Sequence, residues 1–115
     1  MMDVVKSWVG GGSKGLNFWC PGCGELHSIT TEPSGWQWNG DTVNPTFSPS
    51  VLVTGFVRLT DAEADKVLAG QKVERKPLVC HSFVKDGVMQ FLSDCTHDLA
   101  GKFERLPVIS TWRYE

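Results

Sequence analysis

The pair of cysteines in Cys20-Pro21-Gly22-Cys23, followed by Gly24, constrains the fold of this chain more than any other feature. Two thiols at that spacing in a tight turn suit one tetrahedral zinc ion, because the turn directs backbone N–H groups at the sulfurs. A redox pair of the thioredoxin kind shares the spacing but opens a helix after a strand. No helical pattern follows Gly24. The motif supplies half a site, and the remaining donors in the second half of the chain are Cys80, His81, Cys95 and His97.

A hairpin signal at Asp86-Gly87 orders those donors. A two-residue turn there makes Lys85 face Val88, so Cys80 faces Ser93 and Leu78 faces Cys95. Side chains alternate along a strand, which puts Cys80 and Cys95 on one face as diagonal neighbours. His81 and Asp94 fall together on the opposite face, and His97 rejoins the Cys95 face if the chain stays extended. The expected zinc ligands are therefore Cys20, Cys23, Cys80 and Cys95, with His97 as the substitute for one Cys. Read more plainly, Cys80 is a small buried hydrophobe. His27 is a third ligand or, more simply, a partly exposed strand residue.

His81, Asp94 and His97 form the alternative, catalytic constellation. A His beside a carboxylate is an oriented general base or part of a metal site. The simpler reading is a hydrogen bond across the hairpin. The chain has no Ser-centred nucleophile elbow, phosphate-cradling glycine loop or H-E-x-x-H pair, and it lacks the zinc-deaminase pattern.

The remaining segments predict a β-rich α+β fold: a small zinc-stapled antiparallel β domain, a zinc-ribbon-like knuckle plus a hairpin, with one short helix. Strands are expected over residues 16–20, 25–31, 51–54, 56–59, 78–85 and 88–93, with closing strands over 103–106 and 108–112. The helix is expected over 61–69, opened by the capping box Thr60-Asp61-Ala62-Glu63 and stopped by Gly70. The glycine-rich residues 1–15 read as a flexible leader, and 16–115 as a single zinc-binding domain. Trp36, Trp38 and Phe47, around Pro45 and Pro49, make a stacking platform or, more simply, a second small core. Asn39, Asp41 and Asn44 read as turn formers.

At 115 residues and 41% hydrophobic content, the chain can build one domain with a modest core. The net charge of −2 and the absence of a Lys/Arg run argue for weak or no nucleic-acid binding. No apolar run approaches the roughly 20 residues that span a bilayer. The start lacks a secretory signal pattern, which implies the cytoplasm, where thiols serve as metal ligands rather than disulfides.

Several blocks also carry a resemblance. Phe18-Trp19-Cys20-Pro21-Gly22-Cys23, Gly35-Trp36-Gln37-Trp38-Asn39-Gly40-Asp41, Asn44-Pro45-Thr46-Phe47-Ser48-Pro49-Ser50-Val51, Cys80-His81-Ser82-Phe83-Val84 and Asp94-Cys95-Thr96-His97 are similar to a small family of tailed-phage and prophage proteins of unknown function. Many of these carry the label ammonia monooxygenase. The resemblance covers roughly residues 17–107 and implies a bacteriophage accessory protein in the cytoplasm of a bacterial host. Together with the closed four-Cys site, it predicts a binding module for a host or phage macromolecule, a protein above all, rather than an enzyme. The alternative is a small metal-dependent hydrolase using His81, Asp94 and His97 near the metal.

Overall fold

The computed structural model describes residues 2–112, and Met1 and residues 113–115 of the expected domain lie outside them. Among the described residues the chain forms nine strands in three antiparallel sheets, with one α-helix. The β-rich α+β class is the one expected.

The first sheet contains β1 (Lys6–Gly10), β2 (Ser13–Cys20) and β3 (Glu25–Glu32) in chain order. Residues 1–15, expected to be a flexible leader, contribute β1 and the start of β2. Gly11 and Gly12 make the turn between them with φ of 60° and 78°, values that a residue without Cβ adopts at no steric cost. Val4 and Val5, just before β1, are buried in the core. The second sheet is the short pair β4 (Gln37–Trp38) and β5 (Phe47–Ser48). Their connection is held by Asp41, whose carboxylate accepts from the N–H groups of Val43 and Asn44. Phe47 is buried, and Trp36 and Trp38 pack on the core, so this stretch is a satellite of the core.

The third sheet runs β6 (Val51–Phe56), β7 (Pro77–Lys85), β8 (Val88–Phe91) and β9 (Phe103–Arg105). The turn at Asp86-Gly87 pairs Lys85 with Val88, as expected. The 20 residues between β6 and β7 carry α1 (Asp61–Leu68), whose capping box between Thr60 and Glu63 is formed and which buries none of its residues. Phe56 ends β6, because Gly55 continues the pairing with Leu78 instead of breaking the strand. Residues 109–111, expected as a closing strand, form one 3-10 turn. There the Ile109 N–H bonds to the Asp3 carbonyl rather than to a neighbouring strand.

The core lies between the first and third sheets. Leu16, Phe18, Cys20 and Ile29 meet Val51, Cys80, Val84, Met89 and Phe91 in one cluster. Residues of β7 alternate strictly from Cys80 on: Cys80, Ser82 and Val84 are buried, while His81, Phe83 and Lys85 turn outward. This alternation separates two sites that are neighbours in sequence.

Candidate active site and metal centre

On the inner side, the turn after β2 brings Cys23 back toward Cys20, with the Cys23 N–H 3.4 Å from the Cys20 sulfur. The Cys80 sulfur lies 3.7 Å from that of Cys20. His27 pairs with Phe18 across the hairpin and therefore shares the face of Cys20. Donor atoms of Cys20, Cys23, His27 and Cys80 all lie within 4.8 Å of one another. This Cys/Cys/His/Cys cluster bridges the two sheets and is able to coordinate a metal ion.

Two observations fit the cluster to a metal. His27 is 5% exposed, and its Nε2 is a buried polar atom without a hydrogen-bond partner. Such an atom costs stability unless something binds it. The three thiols also titrate against one another. Hydrogen bonds from Cys23 and Cys80 hold Cys20 far below the usual thiol range. The bond to Cys20 pushes Cys23 up to about 12, and Cys80 is raised too, first by Cys20 and then by Cys23. Like charges in one buried pocket cannot all ionise alone, whereas a dication lets all three do so.

The other expected ligands stand beside this cluster. Cys80 is also within 4.8 Å of Cys95 and His97. His97 Nε2 lies 3.4 Å from the Cys80 sulfur, and its Nδ1 accepts from the Leu99 N–H. That acceptor role leaves the ring proton on Nε2, so His97 donates to the Cys80 sulfur. The ladder between β7 and β8 reaches Leu92, whose N–H bonds to the His81 carbonyl, and then the chain turns. Cys95 consequently meets the His81 backbone: its sulfur lies 3.2 Å from both the N and the O of His81.

On the outer side, His81 joins two residues. Its Nδ1 lies 3.1 Å from Asp94 Oδ2, and its Nε2 lies 3.0 Å from the Ser50 hydroxyl. The carboxylate accepts a hydrogen bond from the Nδ1–H, which leaves Nε2 free to accept from the serine. Ser50 occupies the short link between β5 and β6, and the Trp36 indole N–H fixes it by donating to the Ser50 carbonyl at 3.2 Å. In the β6–β7 register Leu52 faces His81, so Ser50 is the diagonal neighbour of His81 on the same face. A hydroxyl, an imidazole and a carboxylate in this order form the hydrogen-bonded relay of a serine nucleophile, its base and the group that orients the base. His81 and Asp94 were expected together. Ser50 was not, because no elbow motif surrounds it, and only the pairing of β6 with β7 reveals it.

A family model described as Bacterial ubiquitination-like system serine protease (BubE) matches residues 3–92. Ser50, His81 and the whole Cys/Cys/His/Cys cluster fall within that span, and Asp94 follows just after it. No curated protein and no solved structure matches the chain. The family match overturns the resemblance to phage and prophage proteins labelled ammonia monooxygenase. It equally overturns what followed from that resemblance: the phage accessory binding module, the host or phage protein as partner, and the expectation of a non-enzyme. The physical error was to let one thiolate site account for all the chemistry. Cys80 and His81 point to opposite faces of β7, so the cysteine cluster and the Ser50–His81–Asp94 hydrogen bonds lie side by side on its two faces. The match favours the hydrolytic alternative, with a serine at its centre.

Proposed function

Because the chain belongs to the bacterial ubiquitination-like system serine protease (BubE) family, we propose that it is a serine hydrolase that cleaves an amide bond in a protein of such a system. The observation that carries this reading is the relay Ser50–His81–Asp94, with separations of 3.0 and 3.1 Å. Ser50 Oγ attacks the carbonyl carbon and passes its proton to His81 Nε2. Asp94 holds the ring in the required tautomer and stabilises its charged form. His81 then returns the proton to the leaving nitrogen as the bond breaks, leaving an acyl group on Ser50. Water, deprotonated by the same imidazole, hydrolyses that ester and restores the hydroxyl.

The metal in this reading is one zinc ion held by Cys20, Cys23, His27 and Cys80. A sulfur-rich four-donor shell is closed and structural. When bound, it would tie β2 to β7 and so support the strand that carries His81. No step of the reaction passes through it.

A fluorophosphonate probe tests the assignment. It should add covalently to Ser50, as read by mass spectrometry of the modified peptide, and should not label Ser50→Ala. Labelling of another residue, or no labelling of folded, metal-loaded protein, would overturn it.

A further inference from the structure

The relay occupies one corner of an exposed apolar surface. In the β6–β7 register, His81 faces Leu52 and Ser82 faces Val51, and continuing that register by one pair past the end of β6 sets Ser50 opposite Phe83. Phe83 faces Gln90, which faces Phe103, so all these side chains lie on the outer face of the third sheet. Leu52, Phe83 and Phe103 are 54%, 47% and 64% exposed, although large apolar side chains usually avoid water. Phe83 and Phe103 border a cleft of about 650 Å³, within the range of roughly 300–1,000 Å³ common for ligand sites. Phe47, Ser48 and Val88 line it next to them, and the polar Lys85, Asp86 and Gln90 stand at its margin. Both walls of this cleft run into the reacting residues. Ser48 is two residues before Ser50, and Phe83 is two residues after His81.

The chemistry decides which part of a substrate meets the cleft. His81 must protonate the leaving group, so that group lies on the His81 and Leu52 side of Ser50. The acyl part continues the other way, toward Phe83. We infer that the cleft between Phe83 and Phe103 is the specificity site for the acyl side of the substrate, and that it takes a bulky apolar side chain of the polypeptide. This inference rests on the serine-hydrolase reading above.

A chain-length series of p-nitrophenyl esters, from acetate through butanoate to hexanoate, tests it on the full, metal-loaded chain. Each buried methylene raises kcat/KM by roughly fourfold, so hexanoate should exceed acetate by at least about tenfold. The hexanoate-to-acetate ratio should fall toward one in Phe83→Ala and in Phe103→Ala. It should stay at the wild-type value in Phe56→Ala, where an equally exposed ring at the far end of β6 is removed. A flat series in the wild type, or an unchanged ratio in both cleft variants, would overturn the inference. Ser50→Ala separates the two claims. If ester turnover survives in Ser50→Ala, the serine reading itself fails, whereas serine-dependent turnover with a flat series removes only the cleft.

Discussion

The sulfur of Cys95 sits 3.2 Å from both the backbone N and the backbone O of His81. A thiol accepts from the N–H and donates to the carbonyl, so one side chain clasps the peptide unit of the base. Cys95 directly follows Asp94, and the clasp therefore sets the distance between the carboxylate and the ring. Cys95 touches no reacting atom and acts as a positioning residue. Cys95→Ala should lower kcat by about tenfold, in keeping with roughly 1–1.5 kcal/mol for a lost hydrogen bond, with little change in KM. Cys95→Ser should recover much of the loss. Equal activity of both variants with the wild type would remove this role.

The relay predicts large losses of activity with the metal retained. His81→Ala should reduce kcat/KM by a factor on the order of 10,000, and Asp94→Asn by a similar or somewhat smaller factor. Both should keep their metal, because His81 and Asp94 face away from Cys80. Metal analysis beside steady-state kinetics checks this. Loss of metal in His81→Ala would place that ring in the cluster instead.

The metal cluster predicts about one zinc per chain. Cys20→Ser and His27→Ala should each lose it, along with cooperative unfolding, because structural zinc contributes on the order of 10 kcal/mol and small domains have little more in total. Cys95→Ala should retain it. Elemental analysis with thermal melts separates these outcomes, and full metal content in His27→Ala would exclude that residue as a ligand.

Gly22 is required by packing rather than by backbone conformation. A Cβ at this position would overlap the His97 imidazole, which is stacked edge-on against Phe91 at 4.7 Å. Gly22→Ala should therefore displace His97 from the Cys80 sulfur and speed the loss of zinc to a chelator. Pairing it with His97→Ala checks the mechanism: the double variant should be no worse than His97→Ala alone.

Asp41 supplies a pH signature away from both sites. The N–H groups of Asn44 and Val43 hold its carboxyl below the usual carboxylate range. A folded-state value below the unfolded one adds stability above the ordinary carboxylate pKa of about 4, and that stability is lost as pH falls through the depressed value. Asp41→Ala should thus melt earlier than the wild type at pH 7, with the gap closing as the pH falls through the depressed value. A gap that persists in acid would mean that the turn does not depend on the charge.

The sequence by itself determined the features that act over a few residues. Thr60 and Glu63 form their capping box because the partners sit within one helical turn. Asp86-Gly87 sets the β7–β8 register, and with it the opposite faces of Cys80 and His81, because a two-residue turn leaves only one pairing. His27 was within reach of the same reasoning. The turn at 21–24 pairs Cys20 with Glu25 and Phe18 with His27, which puts His27 on the face of Cys20. Only the tertiary structure brought Ser50 to His81, 31 residues away, across a segment whose helix buries none of its residues. No local spacing encodes that approach. It arises when the apolar face of β6 seeks the core, and a one-residue slip would have turned Val51 outward and Leu52 in. The same burial decided that Cys95 clasps the backbone of His81 rather than continuing the hairpin, because the chain turns once Leu92 has made the last bond of the ladder.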